Sequence, residues 1–450
     1  MKEYDVLVVG GGNAGCAAAI AAARHGASTM LVERYGFLGG TATAAMVGPW
    51  MTFHSGEKRI VGGIAQEIVT RLQAMGGSPG HLRDSSDYVP TITPFDPEIH
   101  KALLFEMMQE AGVHLLVHAY FLQALVRHAN DETPEVEGAI FATVAGEREY
   151  RARITIDATA DAYVAASAGV ETQQGDERGR VQPATLIFRL SHVDLAKTAA
   201  YLRMHPDQMR TSLKTHERTA PALTAVAGLY ELWQEAQAKG DVTIPREVVS
   251  FFISPYPDEV TVNMTRVVDI DPLDPDDLTR AEVEARGQAM QLFEFFKTRV
   301  PGFENSRIAA TATQIGIRES RRIVGEYTLT RDDVLQGKHF DDAVARSAYP
   351  IDIHNPSGTG TQTHRLRAGE SYEIPYRCLV PARVDRLLVA GRCISTTHEA
   401  LASTRLTPTV MTLGQAAGTA AALAREEDVR VRDVDTAKLR AALIADGVIL

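Results

Sequence analysis

The chain has 450 residues, 45% of them hydrophobic and 23% charged, with a net charge of −11. That length exceeds one ordinary domain and allows two lobes to share one ligand. The acids are scattered, and the cluster Arg318, Arg321, Arg322 is short and interrupted by Glu319, so composition argues for solubility and against a nucleic-acid partner. The three cysteines, Cys16, Cys378 and Cys393, are widely spaced with no CxxC, which excludes a disulfide framework and a recognisable zinc or iron–sulfur site; no metal is expected.

The first strand begins at residue 4 with no charged leader or apolar h-region before it, and no apolar run is long enough to span a bilayer. A cytoplasmic protein with no membrane partner is expected. Val6 to Val9 runs into Gly10-x-Gly12-x-x-Gly15, an alanine-rich helix follows, and a second strand ends at Glu33, twenty-one residues beyond Gly12. The three glycines serve different ends. Gly10 allows the tight turn, Gly12 the close approach of backbone to a pyrophosphate, and Gly15 the close packing of helix on sheet. The helix aims free N–H groups and its positive dipole end at the phosphates. Glu33 sits where a carboxylate can accept hydrogen bonds from ribose hydroxyls and repel a 2′-phosphate. Cys16 reads as a small buried residue of that helix.

A glycine-rich stretch, residues 36–48, precedes a helical segment near Gly63 to Met75, a polar loop at 76–97 and a helix around Glu98 to Ala111. Short β-like runs follow at 113–117, 121–126, 136–144 and 152–157. From about residue 186 helical patterns appear at 193–217, 220–239 and 278–299, with Thr279 and Glu282 read as a capping box, and alternating β residues between them at 248–270. This stretch reads as a substrate lobe inserted into a nucleotide-binding lobe. Near Ile374 the β pattern returns; Arg386 to Ala390 is a strand ending in Gly391, and a small-residue helix runs from Thr407 to about Ala424. Thr407 and Pro408 read as N-cap and N1 of that helix.

Only one GxGxxG is present, and Gly358-x-Gly360 lacks the third glycine, so a single dinucleotide is expected. The sequence resembles the FAD-dependent oxidoreductases of the glutathione-reductase-like fold, related to the fumarate reductase and succinate dehydrogenase flavoproteins. The resemblance rests on VVGGGNAG with Glu33, on GFLGGTAT, IDATADAYVA, GIRESRRIVGEY and LLVAGRCIS, and on RLTPTVMTLGQAAGTAAA. It implies an α/β fold: a Rossmann-type FAD-binding domain with an inserted α+β substrate domain, divided as 1–185, 186–350 and 351–450.

Residue by residue, the resemblance implies that Gly10, Gly12 and Gly15 meet the pyrophosphate and Glu33 the adenosine ribose, with Asn13, Ala14 and Arg34 also in the cofactor site. Gly39, Gly40 and Thr41 would pass beside the pyrophosphate and isoalloxazine, and the Phe121 backbone would meet adenine. Ala158 and Asp161 fall in the family's ATG-D segment, although Ala160 stands where glycine is usual. Gly391 and Arg392 would bracket the phosphate–ribityl region, the arginine neutralising pyrophosphate, and Pro408 and Thr409 would open the helix that faces the flavin. Covalent relatives carry a histidine just before the Gly-Gly pair; residues 35–38 hold none, so the FAD is expected to be non-covalent.

The expected reaction is hydride transfer between flavin N5 and a small polar substrate that can carry a carboxylate. Candidates for the chemistry are His354, which would share a strand face with Asp352, His398 between the last strand and final helix, and Arg405, where the relatives place a carboxylate-binding arginine. His54, Tyr376 and Arg377 are weaker candidates, and Arg318, Glu319 and Arg322, at helical spacing, read as structural ion pairs. The fingerprint alone leaves an NAD-dependent dehydrogenase open, and a non-redox flavoprotein (hydratase, isomerase or binding protein) is a second alternative. A homo-oligomer is left open.

Overall fold

The structure, a computed structural model, describes residues 3–128, 133–210, 223–367 and 369–450. Its first sheet has a parallel run in the order His114–Leu116, Thr29–Val32, Glu3–Val9, Gly146–Asp157, Leu387–Val389. Val6 to Val9 is buried on both faces, as a central parallel strand requires. Strand Gly146–Asp157 serves two partners on one side. Its first half pairs antiparallel with Glu135–Thr143, which in turn pairs with Tyr120–Arg127, while residues 155–157 pair with 387–389. The strand from the far end of the sequence thus completes the sheet begun by the first residues: a mixed α/β fold of the Rossmann, dinucleotide-binding type.

Helix Asn13–Arg24 lies against helix Thr407–Glu427, and glycines set their separation. A Cβ on Gly414 would stand 2.0 Å from Ala14 O, and one on Gly418 2.1 Å from Ala18 O. The alanine-rich composition of both helices leaves no longer side chain to hold them apart.

A second sheet has five strands in the order Ala225–Gly228, Val249–Ile253, Val260–Val262, Phe188–Ser191, Arg307–Thr311, every pair antiparallel. It has its own core, built on Phe188, Trp233, Phe251, Phe295, Phe296 and Phe303, with helix Pro275–Arg299 supplying much of the cover. Residues 323–351 rejoin the first core.

Several local expectations are corrected. The helix expected over 193–217 runs Leu195–Met204, capped by Asp194; residues 211–217 lie outside the described residues. The helix expected over 220–239 begins only at Tyr230. Residues 220–222 lie outside the described residues, and Ala225–Gly228 pairs as an edge strand with Val249–Phe252, tertiary pairing overriding helix propensity. Helix Pro275–Arg299 is capped by Asp274, with proline at its start. Thr279 instead donates to Pro275 O (2.8 Å) inside the first turn. Residues 318–322 are not helical: Arg321–Ile323 is a strand paired with Thr172–Gln174. Charges at helical spacing carry no burial pattern, and burial is what selects a helix. Among the described residues no helix is long and apolar enough to cross a membrane, and no group of three or more His, Cys, Asp or Glu could hold a metal ion.

Candidate active site

The carboxyl ends of the parallel strands open onto a cleft of about 1130 Å³, large beside an ordinary small-molecule pocket. Gly10, Gly12, Asn13, Ala14, Glu33, Arg34, Gly40, Thr41, Phe121, Ala158, Asp161, Gly391 and Arg392 all line it. Gly15, Gly39, Pro408 and Thr409 are not in its wall. Gly15 is spent inside the protein, because a Cβ there would stand 1.8 Å from Gly10 O.

Gly12 differs. Its φ of −68° suits any residue, and a Cβ would meet nothing in the protein closer than Gly40 Cα at 3.7 Å. The only space that a side chain at Gly12 would fill is the cleft itself. Gly12 caps helix Asn13–Arg24 without a side-chain hydrogen bond, so the first N–H groups stay available to a ligand. Helix Thr407–Glu427 is likewise uncapped: Leu406 occupies the N-cap, Thr407 is the first helical residue, and Pro408 is second, which corrects the expected Thr407 cap by one position. Thr407 lines the cleft, and Thr409 Oγ1 turns away to Ser347 Oγ (3.1 Å).

The glycine loop around Gly39 is held against the start of helix Asn13–Arg24 by residues that sequence alone does not reveal. His100 Nε2 lies 2.8 Å from Asn13 Oδ1, and Asn13 Nδ2 donates to Gly39 O (3.2 Å). Burial lowers His100 to about 3, so the ring is neutral and fit for this contact. Glu33 accepts from Gly11 N (2.6 Å) and Tyr35 N (2.9 Å), and burial raises its carboxyl above the usual range despite those bonds. Arg34 Nη2 (3.4 Å) and the Tyr35 hydroxyl both reach Gln314 Oε1 across the cleft. Ala160, at the position expected for glycine, takes the glycine conformation anyway, with φ +68°.

Arg392 and Asp161 pair with each other, and Asp161 also accepts from Ser320 Oγ (2.6 Å). The charge that the resemblance assigned to pyrophosphate is therefore already partnered within the wall.

At the other end of the cleft, strand Ile351–His354 brings Asp352 and His354 onto one face, with His354 Nε2 3.3 Å from Asp352 Oδ2. Burial alone would raise Asp352, but His354 and Arg405 outweigh it and hold the carboxyl well below its ordinary range. Burial pushes His354 down to about 3, reinforced by Arg318 and opposed by Asp352. Nδ1 of His354 lies 3.2 Å from Thr361 Oγ1, a residue that also lines the cleft. Arg405 donates from Nη2 to Asp352 O (3.2 Å), and its buried Nη1 has no partner among the described residues. Arg246, Arg318, Tyr88 and Tyr349 line the same end. No motif marks Arg246, Tyr88 or Tyr349; topology alone delivers them.

His398 is not in this wall. Its Nδ1 meets the buried Glu319 Oε1 (2.8 Å), which also takes Arg322 Nη1 (2.5 Å), so these three residues form an internal ionic cluster. His54 pairs with Thr91 (3.0 Å), the Tyr376 hydroxyl donates to Val431 O (2.7 Å), and Arg377 binds Asp342 (2.9 Å); none of the three lines the cleft.

A glycine turn on a parallel sheet, two uncapped helix N-termini and a polar pocket at the far end define a dinucleotide-dependent enzyme. The chain belongs to the FAD dependent oxidoreductase family, which matches residues 5–443, and its cofactor is FAD. Over 85 residues, 19% of the chain, it is 39% identical to the tRNA uridine 5-carboxymethylaminomethyl modification enzyme MnmG of Treponema pallidum strain Nichols. Over 86 residues, also 19% of the chain, it is 41% identical to MnmG of Ligilactobacillus salivarius. These stretches span only 11% and 12% of the relatives' own length. A triple mutant of the flavin-dependent brominase Bmp2 superposes with a TM-score of 0.50 at 13% identity, covering 98% of this chain and 84% of that one, a likeness of fold.

Proposed function

We propose that this FAD-dependent oxidoreductase transfers hydride between flavin N5 and a small polar, carboxylate-bearing organic substrate. The observation that carries the reading is the cleft itself, whose wall runs from the glycine turn to Asp352, His354 and Arg405. In this reading residues 1–185 and 351–450 hold the cofactor in a glutathione-reductase-like domain, and the inserted, substrate-facing part falls within residues 186–350, of which 323–350 pack into the first core. The FAD is dissociable and the protein acts in the cytoplasm, in keeping with three buried, unpaired cysteines.

The chain's residues divide the work. Backbone N–H groups after Gly12 hold pyrophosphate, and Glu33 accepts from the ribose while its other bonds fix the loop. Bound FAD supplies the two-electron chemistry. The N–H groups opening helix Thr407–Glu427 offer positive potential to negative charge on the ring. Arg405, which lines the cleft, orients a substrate carboxylate with its guanidinium. Neutral His354, its Nε2–H turned to ionised Asp352, would accept a proton from substrate at Nδ1 once substrate displaces the Thr361 hydroxyl that lies 3.2 Å from it.

Anaerobic addition of the right carboxylate substrate should bleach the flavin absorbance of the purified protein. Turnover with an unchanged flavin spectrum would move the reading to hydratase or isomerase chemistry. Colourless protein that fails to take up FAD would contradict it altogether.

A further inference from the structure

Three arginines held inside other parts of the structure each pair with a carboxylate: Arg322 with Glu319, Arg392 with Asp161, Arg189 with Asp96 and Glu259. Burying an unpaired charge is costly, so this is the ordinary arrangement. The substrate end of the cleft breaks the pattern. Arg246, Arg318 and Arg405 come from three separate segments and all line it, yet among the described residues none has a carboxylate oxygen within 4.0 Å.

Their hydrogen bonds go instead to neutral oxygens, and each guanidinium keeps N–H groups free. Arg318 Nη1 donates to Pro183 O and Thr185 Oγ1 (2.5 and 2.6 Å), Arg246 Nε to Met264 O (3.1 Å), and Arg405 Nη2 to Asp352 O. Arg266, fully buried behind them, is satisfied by the carbonyls of Asn355, Gly358 and Gly360.

With Arg266 set against Glu247, the three guanidinium charges of Arg246, Arg318 and Arg405 face one carboxylate, Asp352, and a neutral His354, which leaves two positive charges unbalanced. The polar lining adds an unpartnered acceptor, the buried Asn263 Oδ1. The arginines also disfavour one another: burial and then the charge of Arg405 hold Arg318 well below its ordinary range, and burial and Arg266 lower Arg246 to about 10. Electrostatic strain of this kind, held open in a cleft and not relieved by the protein, is relieved by a ligand.

We infer that Arg246, Arg318 and Arg405 together form a dianion subsite, so that the substrate carries two negative charges: a dicarboxylic acid or a phosphate monoester. Guanidinium forks suit both chemistries. The inference rests on the functional reading above, since it deepens the substrate class of the same cleft.

The test uses the FAD-loaded protein with succinate, inorganic phosphate and acetate as probes at mildly alkaline pH and constant ionic strength. Binding is read from the rise in melting temperature and from perturbation of the flavin spectrum. Succinate or phosphate should bind at least about tenfold more tightly than acetate, and Arg246→Gln and Arg318→Gln should each remove most of that preference. Tight succinate with weak phosphate identifies a dicarboxylate, and the reverse a phosphate monoester. Acetate binding as tightly as both dianions, or no binding of any probe by protein that holds FAD, overturns the inference. Should either variant fail to fold, the comparison of probes on the unaltered protein still decides. If the protein takes up no FAD, the functional reading fails, while melting temperatures still test the anion preference separately.

Discussion

Gly12 and Gly15 belong to one motif and are glycine for different reasons. At Gly15 the protein itself forbids a side chain, with a Cβ 1.8 Å from Gly10 O; at Gly12 it does not. Gly12→Ala should therefore fold with a nearly unchanged melting temperature but bind FAD at least about tenfold more weakly, a loss of roughly 1.4 kcal/mol or more. Gly15→Ala should lose stability by about 1–3 kcal/mol or more through overpacking. Thermal melts with fluorescence titration of FAD separate the two. The motif was legible in sequence because its spacing reports geometry directly. His354 and Asp352 were legible for a similar reason, since alternate residues of a strand share a face. His398 was not: nothing in its local sequence shows that Glu319, 79 residues away, takes its ring nitrogen. Arg246 carries no local signal, and only the folded chain reveals that, among the described residues, no carboxylate oxygen lies within 4.0 Å of it.

Two helices from opposite ends of the chain, Asn13–Arg24 and Thr407–Glu427, touch backbone to backbone at Gly414 and Gly418 and both open without side-chain caps. Gly414→Ala should force them apart, costing about 1–3 kcal/mol or more and weakening FAD binding, because the helix ends at the cleft would shift together. Gly287, exposed in helix Pro275–Arg299 with nothing near its would-be Cβ, predicts the opposite sign: Gly287→Ala should stabilise by roughly 0.5–1 kcal/mol. Chemical denaturation of the two variants checks the contrast. The small-residue helix and its early proline could be read from sequence, and only the cap position moved. The elements that failed, over 220–239 and 318–322, are ones where tertiary strand pairing or charge spacing competed with a helical pattern.

Among the described residues the two large hydrophobic cores lie one under each sheet, with a small third cluster of Val89, Ile92, Ala225 and Tyr349, and residues of both halves line the cleft. The parallel sheet announces itself through apolar strands and a glycine turn, whereas the second sheet is built from short strands, of which Phe188–Ser191 pairs with Arg307–Thr311 more than a hundred residues away. Neutral histidines buried across this structure make its stability pH-dependent. Burial lowers His100 and His354 to about 3 and His81 to about 4, all from 6.5. Below the unfolded value the unfolded chain binds protons that the folded one refuses, so stability is full above about pH 6.5 and falls as pH drops toward 4. Glu33 and Asp157, raised by burial, contribute with the opposite sign nearer their own range. His100, fully buried, contributes up to about 1.4 kcal/mol per pH unit. His100→Gln, which keeps a donor for Asn13, should flatten the fall in melting temperature between pH 6.5 and 5.

The most direct measurement is an experimental structure of the protein loaded with FAD. The pyrophosphate should lie against the backbone after Gly12, and the isoalloxazine beside Thr407, on the side of the cleft that holds Arg405 and His354. A ring placed away from those residues, or a dinucleotide seated anywhere but the glycine turn, would contradict the assignment of the chemistry to this cleft.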